Sequence, residues 1–138
     1  MIKINDLRTS NILSYKTDEG DMYAPIDWQD LKWLTEDSVN FNLAHSAIPL
    51  SQDILFNFGF VFNDVKGIHN RYIKSWGAFY FELLEQGKQN LYHLRFSNGE
   101  NSQQVGLGLF STLHELQNIF YCICGEELNT TKLTNPKI

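Results

Sequence analysis

Phe79-Tyr80-Phe81-Glu82-Leu83-Leu84 and, after a break, Tyr92-His93-Leu94-Arg95-Phe96 decide the fold. Phe79, Phe81 and Leu83 alternate with Tyr80, Glu82 and Leu84; Tyr92, Leu94 and Phe96 alternate with His93 and Arg95. A period of two puts successive side chains on opposite faces of a strand. Glu85 to Asn90 reads as the loop between them. Asn98-Gly99 follows, two residues that tolerate positive φ, as a type I′ hairpin turn demands. Val105, Leu107 and Leu109 answer on the returning strand. The whole span from Phe60 to Phe110 reads as an antiparallel meander with one polar face, as expected when one side alone is covered.

A helix closes the chain. Thr112-Leu113-His114-Glu115 has the spacing of a capping box. Leu113, Leu116, Phe120, Ile123 and Cys124 form an apolar stripe at helical spacing, and Gly125 is placed to stop it. Upstream of the meander, Ser51 is an N-cap, with Leu50 and Leu55 spaced as a hydrophobic staple. Asp53 suits the first turn, Gly59 ends the helix, and Ile54, Leu55 and Phe58 face the core. Nearer the start, 11–16 reads as a strand and Thr17 to Asp21 as a turn. Met22 to Ile26 returns as an edge strand because of Pro25. Asp27 caps a short helix carrying Trp28, Leu31 and Leu34. In 35–47 a strand-like piece runs from Val39 to Leu43.

The chain has 138 residues, 43% hydrophobic and 20% charged. That composition excludes disorder as the main state and fits one α+β domain over 1–128, with 129–138 as a flexible tail. An aromatic share of 14% favours sheet. Met1 to Asp6 reaches an acid before any apolar run, so no secretory leader is expected. Ile54 to Phe62, the longest greasy stretch, is far short of the ~20 residues that cross a bilayer. A cytoplasmic protein without a membrane partner is the expectation. Cys122 and Cys124 stand two apart on a helix and point to nearly opposite sides. They are expected to be unpaired, buried hydrophobes.

Motifs for chemistry fail one by one. His114-Glu115-Leu116-Gln117-Asn118 has Asn where a zinc helix needs its second His. Gly106-Leu107-Gly108 lacks the third glycine and the ribose-binding acid of a dinucleotide fold. The acidic loop at 18–21 lacks the ligand alternation of a calcium site. The four histidines are scattered and no nucleophile elbow is present. No catalytic residue, metal or cofactor is expected, and the chain reads as non-enzymatic.

Two surfaces stand out instead. The net charge of −5 is lopsided, −6 over 1–65 and +1 over 66–138. Residues 18–37 hold seven acids (Asp18, Glu19, Asp21, Asp27, Asp30, Glu36, Asp37) against Lys32 alone, beside Trp28 and Trp33. Such a face repels phosphate and attracts a basic protein surface, that of a nucleoprotein included. Asp18, Glu19, Asp21, Trp28, Asp30 and Trp33 are therefore candidate partner-binding residues. The second surface is a polar stripe on the last helix: His114, Gln117, Asn118 and Tyr121, at i, i+3, i+4 and i+7. All four donate and accept hydrogen bonds, so the stripe suits a partner or a neighbouring strand.

Several segments together resemble a known group. Asp6-Leu7-Arg8-Thr9-Ser10-Asn11-Ile12-Leu13 resembles an "LRxGN" opening, from which it departs at Thr9-Ser10, where that group has glycine. Ile26 to Trp33, Ile48-Pro49-Leu50-Ser51 with Gly59-Phe60, and His114 to Tyr121 with Gly125-Glu126-Glu127-Leu128 extend the likeness. The group is that of small uncharacterised proteins from Bacteroides- and Flavobacterium-like genomes and their prophages. The resemblance implies an N-terminal small-barrel-like β unit and a mobile-element setting, and it carries no activity. The expected architecture is α+β: that β unit, a short central helix, the antiparallel meander, and the C-terminal helix packed on the sheet. The expected function is binding, concretely an inhibitor that masks a host defence nuclease, as anti-CRISPR proteins do. The alternatives are a nucleic-acid-binding accessory protein, which the acidic half argues against, and an enzyme with an unrecognised site.

Overall fold

A computed structural model of the chain describes residues 1–64, 70–86, 91–97, 104–129 and 133. The chain is α+β and divides into two compact units, 1–49 with 112–138 and 50–111.

In the first unit, β1 (Ile12–Thr17) pairs antiparallel with β2 (Gly20–Pro25) and with the two-residue β3 (His45–Ser46), in the order β2-β1-β3. The small-barrel-like unit is thus an open three-stranded sheet. Pro25 sits on an edge strand, as its missing donor requires. Asp27 caps α1 (Trp28–Glu36). The strand expected over Val39 to Leu43 is instead α2 (Ser38–Ala44). Asp37 starts this helix by accepting from the Asn40 backbone N–H at 3.3 Å, and that cap overrides the strand preference of Val39 and Phe41. Ile2, Leu13, Ile26, Leu34 and Phe41 form the core between sheet and helices.

The N-terminal turn forms despite the missing glycine. The Asn11 N–H donates to the Arg8 carbonyl at 3.1 Å, and Ser10 holds φ = 75°. A positive φ at the third turn position is ordinarily glycine's place. The last helix, numbered α4 below (Leu113–Cys124), belongs to this unit and packs on β1. It begins in the expected capping box: Glu115 Oε1 accepts from the Thr112 backbone N–H at 3.1 Å and from its hydroxyl at 2.6 Å. It ends at Gly125 with φ = 70°. Leu113, Leu116 and Phe120 are buried as the stripe requires, whereas Cys122 is exposed and Cys124 half-buried. Cys122 falls on the side of the helix away from those three residues, while Cys124 shares their side at the helix's last position. Of the tail, Asn129 and Leu133 are described, and Leu133 is buried.

The second unit opens with α3 (Gln52–Asn57), capped by Ser51 and followed by Gly59 at φ = 87°. Leu50 and Leu55, the staple pair, are both fully buried. The meander is a five-stranded antiparallel sheet in sequence order: β4 (Val61–Asp64), β5 (Asn70–Trp76), β6 (Phe79–Gln86), β7 (Leu91–Ser97) and β8 (Gln104–Phe110). Glu85 and Gln86 extend β6 rather than opening a loop, because they pair with Tyr92 and Leu91. The Asn98-Gly99 turn lies outside the described residues. Phe81, Leu83, Tyr72, Tyr92 and Leu94 share the buried face. Its aromatic rings meet edge-on, Tyr72 to Tyr92 at 6.0 Å, and burial, with Glu85 second, pushes the Tyr92 hydroxyl up to about 12. A bulge at Leu107 shifts the β7–β8 register, and Gly108 takes φ = 115° there.

Candidate functional site

The acidic segment owes part of its charge to folding. Asp27 and Asp30 close a capping box: Asp27 Oδ1 accepts from the Asp30 N–H at 3.0 Å, and Asp30 Oδ2 from the Asp27 N–H at 2.9 Å. The first of these bonds holds the Asp27 carboxyl below its usual value. Asp37 caps α2, and Glu36 lies 3.9 Å from Lys32 one turn earlier. Asp18, Glu19 and Asp21 cap no helix. They occupy the β1–β2 turn and the start of β2, all three exposed.

The two tryptophans differ. Trp33 is 38% exposed and meets Phe41 at 5.5 Å and His45 at 5.4 Å, edge-on in both cases. Phe41 stacks on His45 at 4.1 Å. Trp28 is 65% exposed. Val39 and Leu43, one helical turn apart on α2, are also mostly exposed. Single exposed apolar residues are ordinary, but a Trp and three further large apolar side chains left open on one short helical hairpin are not. Sequence reading found Trp28 and Trp33 from their position among acids. It missed Val39 and Leu43, whose exposure follows from α2 being a helix.

The polar stripe of α4 has internal partners. Gln117 is fully buried. Its Oε1 accepts from the Ile12 backbone N–H at 2.8 Å, and its Nε2 donates to the Ser10 carbonyl at 3.1 Å. Asn118 Oδ1 accepts from Asn11 Nδ2 at 2.8 Å and from Arg8 Nε at 3.2 Å, and its Nδ2 donates to the Asp6 carbonyl at 3.0 Å. Arg8 lies over the Tyr121 ring, 4.3 Å from its centre, and pairs with Glu127. The stripe therefore fastens the segment from Asp6 to Ile12 onto α4. Arg8, Asn11, Gln117, Asn118 and Glu127 thus form one network. Among the described residues, buried His114 has no acceptor or donor for its Nδ1, and burial lowers its pKa against the opposing pull of Glu115 and Asp6. Tyr121 alone of the four is exposed, at 41%.

A third constellation lies on the polar face of the second unit, and sequence reading did not single it out. Glu82 is 1% exposed. It is ion-paired with Arg71 through Nε on one side and with Arg95 through Nη2 on the other. Arg95 stands directly across the β6–β7 ladder from Glu82, while Arg71 reaches it diagonally from β5. The alternation of His93 and Arg95 against Glu82 was the available signal, since opposite charges face each other across strands.

Among the described residues no group of three or more His, Cys, Asp or Glu is placed to hold a metal, and no helix is long and apolar enough to cross a membrane. A shallow pocket in the first unit is lined by Ser14, Asp21, Tyr23 and Ser46, with no histidine or cysteine in its wall. No protein-family model, curated protein or solved structure matches the chain.

Proposed function

We propose that this chain is a binding protein that docks a basic protein surface on the helical hairpin and acidic turn of its first unit. In the fullest form of this reading it comes from a mobile element and inhibits a host defence nuclease by covering the basic surface with which such an enzyme holds nucleic acid. One observation carries the reading: Trp28 is 65% exposed, next to acids and without a place in the core. Tryptophans of this kind dominate binding energy when a partner covers them. The surrounding acids oppose phosphate and favour Lys- and Arg-rich protein.

The test uses immobilised wild-type chain and its Trp28→Ala variant against lysate of the bacterium that carries it. A stoichiometric nuclease retained by wild type, lost from Trp28→Ala, and stopped from cutting by wild type alone is the expected result. Equal retention by both chains, or undiminished cutting in the complex, overturns the reading. Trp28 is exposed, so the variant is expected to stay folded.

A further inference from the structure

We propose that Arg71, Arg95 and His93, organised by Glu82, form an oxyanion site for a phosphate group on the polar face of the second unit. Among the described residues one carboxylate meets the two guanidiniums, so the cluster keeps one positive charge. That charge is shared by side chains only 23% and 28% exposed. Removing charge from water is costly unless an opposite charge meets it. Glu82 answers half of the demand, and an anion on the solvent side answers the rest.

The geometry suits such a ligand. Each arginine meets Glu82 through a single nitrogen, Nε of Arg71 and Nη2 of Arg95, so each fork keeps further N–H donors. Arg95 Nε is buried without an acceptor among the described residues. Glu82 fixes both forks in advance, which reduces the ordering cost that binding would otherwise meet. His93 stands in the next row of the ladder, opposite Leu84. Its ring lies beside Gly106, where a Cβ would come within 3.3 Å of Nε2. Glycine there gives the imidazole room beside Arg95. Guanidinium forks match phosphate oxygens two at a time, a geometry a lysine cannot offer.

The test is calorimetric titration of the full chain with inorganic phosphate, sodium chloride holding ionic strength constant. Wild type is expected to bind saturably. Arg71→Gln and Arg95→Gln are each expected to weaken binding by ~10-fold or more, the scale of one lost charge-assisted contact. Glu82→Gln is expected to tighten it, because both guanidiniums are then uncompensated. Parallel titration with O-phosphoserine separates the sources: equal affinity assigns the site to free phosphate, tighter binding to a phosphorylated chain. Should a variant fail to fold, arginine Nε–H resonances of wild type decide. Saturable shifts of the Arg71 and Arg95 signals support the site. No saturable binding by wild type, affinity unchanged in Arg95→Gln, or motionless arginine signals overturn it.

Discussion

Ser10 and His114 are both held in places that do not suit them. Ser10 occupies the left-handed region at φ = 75°, which costs a residue with a Cβ about 1 kcal/mol. Ser10→Gly is expected to raise stability by roughly 0.5 kcal/mol, the relief of that strain less the extra freedom glycine gives the unfolded chain. The Ser10 contact with Gln117 runs through the backbone carbonyl and survives the change. A urea midpoint that falls would mean the turn is not formed this way. His114 is expected to make folding pH-dependent. Its pKa is lowered from 6.5 in the folded state, so the unfolded chain takes up the proton first as acid is added. Stability is then full above pH 6.5 and is lost as pH falls from there through the lowered folded value. His114→Gln should flatten the thermal midpoint over that window. An unchanged slope would place the titration elsewhere. Gln117 shows the difference between a pattern and its use. Its spacing with His114, Asn118 and Tyr121 was plain, but that its amide would meet the Ile12 N–H depended on a contact across 105 residues of chain.

At the scale of elements, capping decides where helices start, and this was the most legible feature of the sequence. Thr112→Ala removes the hydroxyl that meets Glu115 at 2.6 Å and is expected to cost ~1 kcal/mol. A denaturation midpoint within error of wild type would mean that the box contributes nothing. Asp27, Ser51 and Thr112 each stand where the helix start was read. The failure at α2 has the same physics: Asp37 was counted as charge and not as a cap, so Val39 and Phe41 were read by their strand preference. The meander was legible because its inner strands β5, β6 and β7 have a buried and a polar face, whereas Val105 and Leu109, expected to answer on β8, are exposed at 55% and 56%. Phe81 and Leu83 are buried as alternation required. What alternation hid was Glu82, buried at 1% on the polar face because two arginines cover it. Side-chain period says which face a residue is on, and pairing register says what it meets there. The Leu107 bulge likewise leaves no mark on composition beyond Gly108.

For the molecule as a whole, the uneven charge bears on the rate of encounter more than on the strength of the final contact. Asp27, Asp30 and Asp37 are engaged as helix caps, so replacing them would confound binding with folding. Asp18, Glu19 and Asp21 are exposed around a tight turn and hold no helix start, which makes them the clean set to change. If the first unit meets a basic partner, these three acids add to the field that draws it in. Their replacement by Asn, Gln and Asn is expected to slow association by about 3- to 10-fold at low salt, with dissociation little altered. Added salt should slow wild type towards the variant, because exposed charges are screened beyond about 10 Å at 0.1 M. Trp28→Ala should do the reverse, leaving the association rate near wild type and speeding dissociation, since a desolvated aromatic acts after contact. The measurement is surface-immobilised association and dissociation kinetics of wild type and both variants across ionic strength, using the partner captured by wild type. Parallel salt slopes for wild type and the triple variant would reduce these acids to solubilising charge. An unchanged dissociation rate in Trp28→Ala would move the contact away from α1.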